Sequence, residues 1–171
     1  MKFLYFPLLF GSALLLQSAV VPVMLPDGFI DGFDLPLAIT IHVAFIRGKT
    51  PGMMTGLLLG YLQDAMSGGV LGFNGLSKIL AGFTAGFLRE KFFIQSIAHR
   101  AASVAGATFL ALLTRVGVLI LFSQPHPSLF SMQFLWGFIG NTLLALLVHT
   151  LLEGFETISG IREEEELSLG D

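Results

Sequence analysis

From Phe3 to Val23 the chain runs without a single Asp, Glu, Lys or Arg. That matches what a helix needs to cross a bilayer, roughly 20 mostly apolar residues. Inside lipid the backbone has no water to bond to, so a spanning segment must be a helix or part of a closed barrel. Pro7 falls in the first turns, where its missing N–H is tolerated, and Pro22 closes the far end. Lys2 gives the run the charged start of a secretory leader, but Gln17-Ser18-Ala19 lacks a small residue at both cleavage positions. It reads as a retained first helix.

The remainder repeats the pattern. Further apolar blocks cover Leu35 to Ile46, Met53 to Met66, Leu76 to Leu88, Ala101 to Phe122 and Phe134 to Leu152. Only 12% of the residues are charged against 54% hydrophobic, and a soluble domain is about a quarter charged. A water-facing surface cannot be built from this composition. The expected fold is all-α and polytopic, one transmembrane domain over 1–160 with about six helices, followed by an acidic cytoplasmic tail over 161–171. Blocks two to four are short. Fourteen residues rise only about 21 Å, so five helices plus a re-entrant segment is the rival count, and whether 35–46 spans fully stays open. The tail holds five of the twelve acids, and the rest is near neutral, with no basic face for nucleic acid. With no cysteine, disulfides and thiolate metal sites are excluded.

Alternating the loops between two sides sorts the charges. Lys2, Arg47, Lys49, Arg89, Lys91, Arg100 and Arg162 fall on one side, and loops 25–34, 67–75 and 123–133 carry no Lys or Arg. The positive-inside rule puts that basic side, and both termini, in the cytoplasm. The connector 89–100 sets basic residues beside Phe92, Phe93 and Ile94, suiting an anionic membrane surface.

Without a hydrophobic driving force between them, membrane helices associate where small side chains let backbones approach. Gly52, Gly56 and Gly60 stand four apart, and Gly82 and Gly86 follow in the next block. This spacing predicts a close-packed hairpin, or a face for a partner's helix. Asp64 lies one turn beyond Gly60, and Lys78 one turn before Gly82. A charge facing lipid at mid-depth costs at least about 2.5–3.5 kcal/mol, so such groups turn inward and pair. Asp64 and Lys78 are therefore expected to form an interior pair. Gln17, Arg115 and Asn141 lie at similar depth and are expected to form an outer-leaflet polar cluster, either as helix glue or as a pocket preferring an acidic group.

No catalytic set assembles. The histidines His42, His99, His126 and His149 fall on different blocks, and HExxH, GxSxG, P-loop and GxGxxG patterns are absent. Ser77 and Lys78 are adjacent, so on a helix their side chains point about 100° apart, poor geometry for a dyad. No metal, cofactor or enzymatic activity is expected. His42 and His149 read as helix glue in the inner half.

The segment GLLLGYLQDAMSGGVLGFNGLSKILAGFTAGFL (56–88) resembles the core of the rod shape-determining protein MreD family. The shared features are a Gly-rich helix, then Asp64 three residues before Ser67-Gly68, then Leu71-Gly72 and a helix with small residues. FDLPLAITIHVAFIRGKTPG resembles the family's preceding block, with Asp34 and Pro36 in a changed order. The resemblance implies a non-enzymatic component of the cell-elongation machinery in the bacterial inner membrane. Its implied partners are MreC and, through it, a RodA-type glycosyltransferase, its transpeptidase and MreB, besides membrane lipids. The family is also similar to the substrate-binding S-components of energy-coupling-factor vitamin transporters, which implies an S-component-like bundle and supplies the alternative function. Those subunits dock through small residues four apart in the first helix, and GSALLLQSA (11–19) has none.

Overall fold

The computed structural model describes residues 2–24, 33–67, 71–92 and 97–158. Loop residues 25–32 with Phe29, the turn residues 68–70 with Gly68, the connector residues Phe93 and Ile94, Arg162 and the acidic tail lie outside the described residues. What is described is helical, without a strand. Helix α1 (Lys2–Leu15) continues through a π-helical turn (Leu16–Val20) into a last turn, α2 (Val21–Met24), to make one rod. The other rods are α3 (Leu35–Arg47), α4 (Lys49–Ser67), α5 (Phe73–Phe92), α6 (Ile97–Leu121) and α7 (Met132–Ile158). Three stretches are long and apolar enough to cross a membrane: Tyr5–Val23, Ile97–Leu121 and Met132–Ile158. Helix α3 is apolar but only 13 residues long.

That short helix is the centre of the molecule. Every residue from Pro36 to Phe45 is buried, and α3 touches each of the other rods. Leu37, Ala38, Ile41, Ala44 and Phe45 pack with Ala81 and Ala85 of α5, Val104, Ala107 and Ala111 of α6, and Ala145 of α7. The opposite side, Ile39 and Val43, meets Ala13 and Leu14 of α1 and Leu59 of α4. A helix enclosed on all sides meets no lipid and needs no bilayer-spanning length. A single residue, Gly48, joins it to α4, with φ of 92°. Only glycine adopts that conformation readily.

The α4–α5 hairpin forms as the glycine spacing predicts. A Cβ placed on Gly56 would fall on the Lys78 carbonyl, one on Gly60 on the backbone of Gly75, and one on Gly82 on the backbone of Gly52. Gly86 lies equally close to the Lys49 backbone, while Gly52 also faces Ala44 of α3. The glycine face is filled from within by α5.

Polar contacts fix how the rods line up. At one end Arg89 Nη1 donates to the Ile46 carbonyl at 3.0 Å, Lys49 pairs with Glu90 at 2.9 Å, and Arg100 pairs with Glu153 at 2.8 Å. The Arg47 guanidinium stacks over Phe6, 3.9 Å from the ring centroid. The start of α1 and the end of α7 lie at this basic end.

Candidate functional site

The opposite end of α3 gathers polar side chains from four rods. Asp34 caps the helix: its Oδ1 accepts from Leu37 N at 3.0 Å, and its carbonyl accepts from Ala38 N at 3.1 Å. Helix starts leave orphan N–H groups, and here each has an answer. Pro36 has no N–H to satisfy. Leu35 N donates to Gln17 Oε1 at 2.9 Å, and Asp34 N donates to Asn141 Oδ1 at 2.7 Å. Asn141 in turn donates from Nδ2 to the Gly137 carbonyl at 2.9 Å. The π-helical turn of the first rod carries Gln17 to this place. Gln17 and Asn141, expected as a loose polar cluster, are the clamps on either side of one helix start.

The remaining oxygen of Asp34 corrects the expected ion pair. Lys78 Nζ donates to Asp34 Oδ2 at 2.7 Å, with the Lys78 side chain 1% exposed and that of Asp34 15%. The Asp64–Lys78 pair does not form. Asp64 is buried, but it closes its own hairpin instead: Oδ2 accepts from Gly72 N at 2.9 Å and Oδ1 from Asn74 Nδ2 at 2.7 Å. Asn74 N also donates to the carboxylate, at 3.1 Å to each oxygen. A carboxylate at a helix N-terminus gains from both the free N–H groups and the dipole. Asp64 is thus held by the first turn of α5, and Lys78, on the same helix further in, reaches across to α3. Each acid caps one helix, and Lys78, on the helix that Asp64 caps, bonds the acid that caps the other.

Arg115 completes the charged set on α6. Its guanidinium lies 5.7 Å from the Phe73 ring centroid, and it lines a cavity of about 240 Å³ with Leu112, Gln133, Phe134 and Gly137. Two prolines of the 123–128 turn, Pro125 and Pro127, roof it. Its lining mixes apolar side chains with one guanidinium and one amide.

Asp34 and Asn74 are the participants that sequence reasoning missed. For Asp34 the signal existed: Asp-Leu-Pro ahead of an apolar run is a helix-start pattern, an N-cap acid with proline in the first turn. The Asn74 contact depends on the path of the outer turn, which the sequence leaves open. Among the described residues no group of three or more His, Cys, Asp or Glu is arranged to hold a metal.

No protein-family model, no curated protein and no solved structure matches this chain.

Proposed function

We propose that the protein is a six-span scaffold of the cell-elongation machinery, of the MreD type, in the bacterial inner membrane with both termini in the cytoplasm. It works by holding other membrane proteins in place, MreC first and through it the RodA-type glycosyltransferase, its transpeptidase and MreB. The observation that carries this reading is the use made of the motif charges. Asp64, Gly72 and Asn74 of the MreD-like segment close one hairpin, and Lys78 of the same segment bonds Asp34 of the preceding block. The two blocks that carry the resemblance meet physically, and their ionisable groups serve helix ends. A rigid bundle presenting apolar outer faces is what a membrane scaffold requires.

One observation favours a second reading. The cavity beside Arg115 and Gln133 is a place for a small molecule, which a substrate-binding subunit of a vitamin-type transporter needs. Affinity purification from native membranes in mild detergent, with proteins and small molecules identified by mass spectrometry, separates the two. Recovery of MreC or the synthase pair supports the scaffold. Recovery of an ATPase module with a bound vitamin overturns it in favour of transport.

A further inference from the structure

At the basic end, four helices close around two imidazoles. His42 on α3 and His149 on α7 are 1% and 2% exposed, and their Nδ1 atoms stand 3.0 Å apart. On one side, His42 Nε2 lies 3.3 Å from Glu156 Oε1, which also accepts from the Tyr5 hydroxyl at 3.1 Å. On the other, His149 Nε2 faces Glu153 Oε2 at 3.7 Å, and that same oxygen accepts from Arg100 at 2.8 Å. The charged and titratable groups facing the pair are thus Tyr5 of α1, Arg47 of α3, Arg100 of α6, and Glu153 and Glu156 of α7.

The distances restrict where protons sit. A hydrogen bond between two Nδ1 atoms holds one hydrogen, so the rings cannot choose tautomers separately. Glu156 Oε1 already accepts from Tyr5 and is an acceptor for His42 as well, which places a hydrogen on His42 Nε2. Neutral His42 then has its lone pair on Nδ1, and His149 donates from its own Nδ1. The lone pair of His149 is left on Nε2, pointed at a carboxylate oxygen. Two acceptors face each other across 3.7 Å with no hydrogen between them.

From this geometry we infer that His149 Nε2 and Glu153 Oε2 form a proton-binding site that takes up one proton from the basic end of the membrane. The added proton lands on His149 Nε2, breaks none of the bonds in the chain and raises the charge of the cluster by one. The resulting imidazolium lies between the Glu153 carboxylate and the acceptor nitrogen of His42. Glu153, with its side chain 28% exposed, gives the proton a way in. An ionisable group within a membrane bundle marks a functional site by default. Protonation changes the charge at the point where α3, α6 and α7 meet. The inference stands on this cluster alone, whether or not the scaffold reading holds.

The test is nitrogen-15 NMR of the histidine-labelled full chain in lipid nanodiscs, titrated with acid, with the exposed His99 and His126 as internal references. Before titration His149 is expected as the Nδ1–H tautomer and His42 as Nε2–H, with direct coupling between the two Nδ1 nuclei. On acidification His149 gains the second N–H. Glu153→Gln should lower its proton affinity about tenfold, the scale of one pKa unit for a lost neighbouring charge. Arg100→Gln, which removes a competing cation, should raise it. A pair that takes up no proton at His149 Nε2 shows neither shift, still less shifts of opposite sign. Finding His149 as the Nε2–H tautomer, or the first proton on His42, overturns the proposal, as does an unchanged titration in both variants. If one variant fails to fold, the wild-type tautomers and the other variant still decide.

Discussion

A lysine as deeply buried as Lys78 is tolerable only with a partner, and its partner is Asp34. Removing one member of a buried pair leaves the other charged and unmatched, which costs about 3–5 kcal/mol, whereas removing both is often nearly neutral. Lys78→Met should therefore destabilise the protein by about that much, and Lys78→Met with Asp34→Asn by much less, read as the midpoint of unfolding in mixed micelles. If Asp64 were the partner, the Asp64→Asn double would rescue and the Asp34→Asn double would not. The exposed pair at the other end behaves differently. The Lys49 hydrogen bond holds the Glu90 carboxyl below the usual carboxylate range. Any stabilisation from this contact is present above that range and is lost as pH falls through it. Lys49→Gln should return the Glu90 titration to the ordinary range, measured by carboxyl carbon NMR. That Asp64 and Lys78 would be buried was legible in the sequence, because a charge inside an apolar block has nowhere else to go. That they would not meet was not legible. Residue counting along one hairpin compares only neighbours in sequence, and the competing acid arrives from a different helix.

At the scale of elements, the glycine spacing carried the most information. Four-residue repeats predicted the α4–α5 contact because only missing side chains permit such close backbones. Whether α5 or a partner's helix would fill that face lay beyond spacing, and the structure puts α5 there. Gly56→Leu should consequently prevent folding of the hairpin rather than detach a partner, since the new side chain meets the Lys78 backbone, which cannot yield. Gly117→Leu, where nothing lies within 4 Å, should insert and fold normally. Protease resistance in membranes, compared between the two variants, checks this. The central position of α3 was the less legible part. Its apolar run is uniform, so periodicity marked no outward face, which is the pattern of an enclosed helix.

At the scale of the whole molecule, the basic residues cluster by contact as well as by sequence: Arg47, Lys49, Arg89 and Arg100 all make their bonds at the end where α1 begins and α7 finishes. The orientation proposed from them is directly testable because the chain has no cysteine. A single cysteine at Gln124 should react with an impermeant maleimide added to intact spheroplasts, and one at Lys91 only after permeabilisation. The reverse pattern would invert the bundle and place the His149–Glu153 gap toward the outside.

Helix α3 has a polar network fastened at each end, Asp34 at the top and His42 one turn before Phe45 near the bottom. The seven residues between them act as a gauge block. One inserted alanine between them advances everything beyond it by about 1.5 Å and turns it by about 100°. Lys78 and His149, mounted on other rods, can follow neither movement. Two whole added turns restore the angle but leave the ends about 10 Å too far apart. The length of this helix is therefore set by the spacing between its two fastenings, and a change in bilayer thickness gives it no reason to grow or shrink.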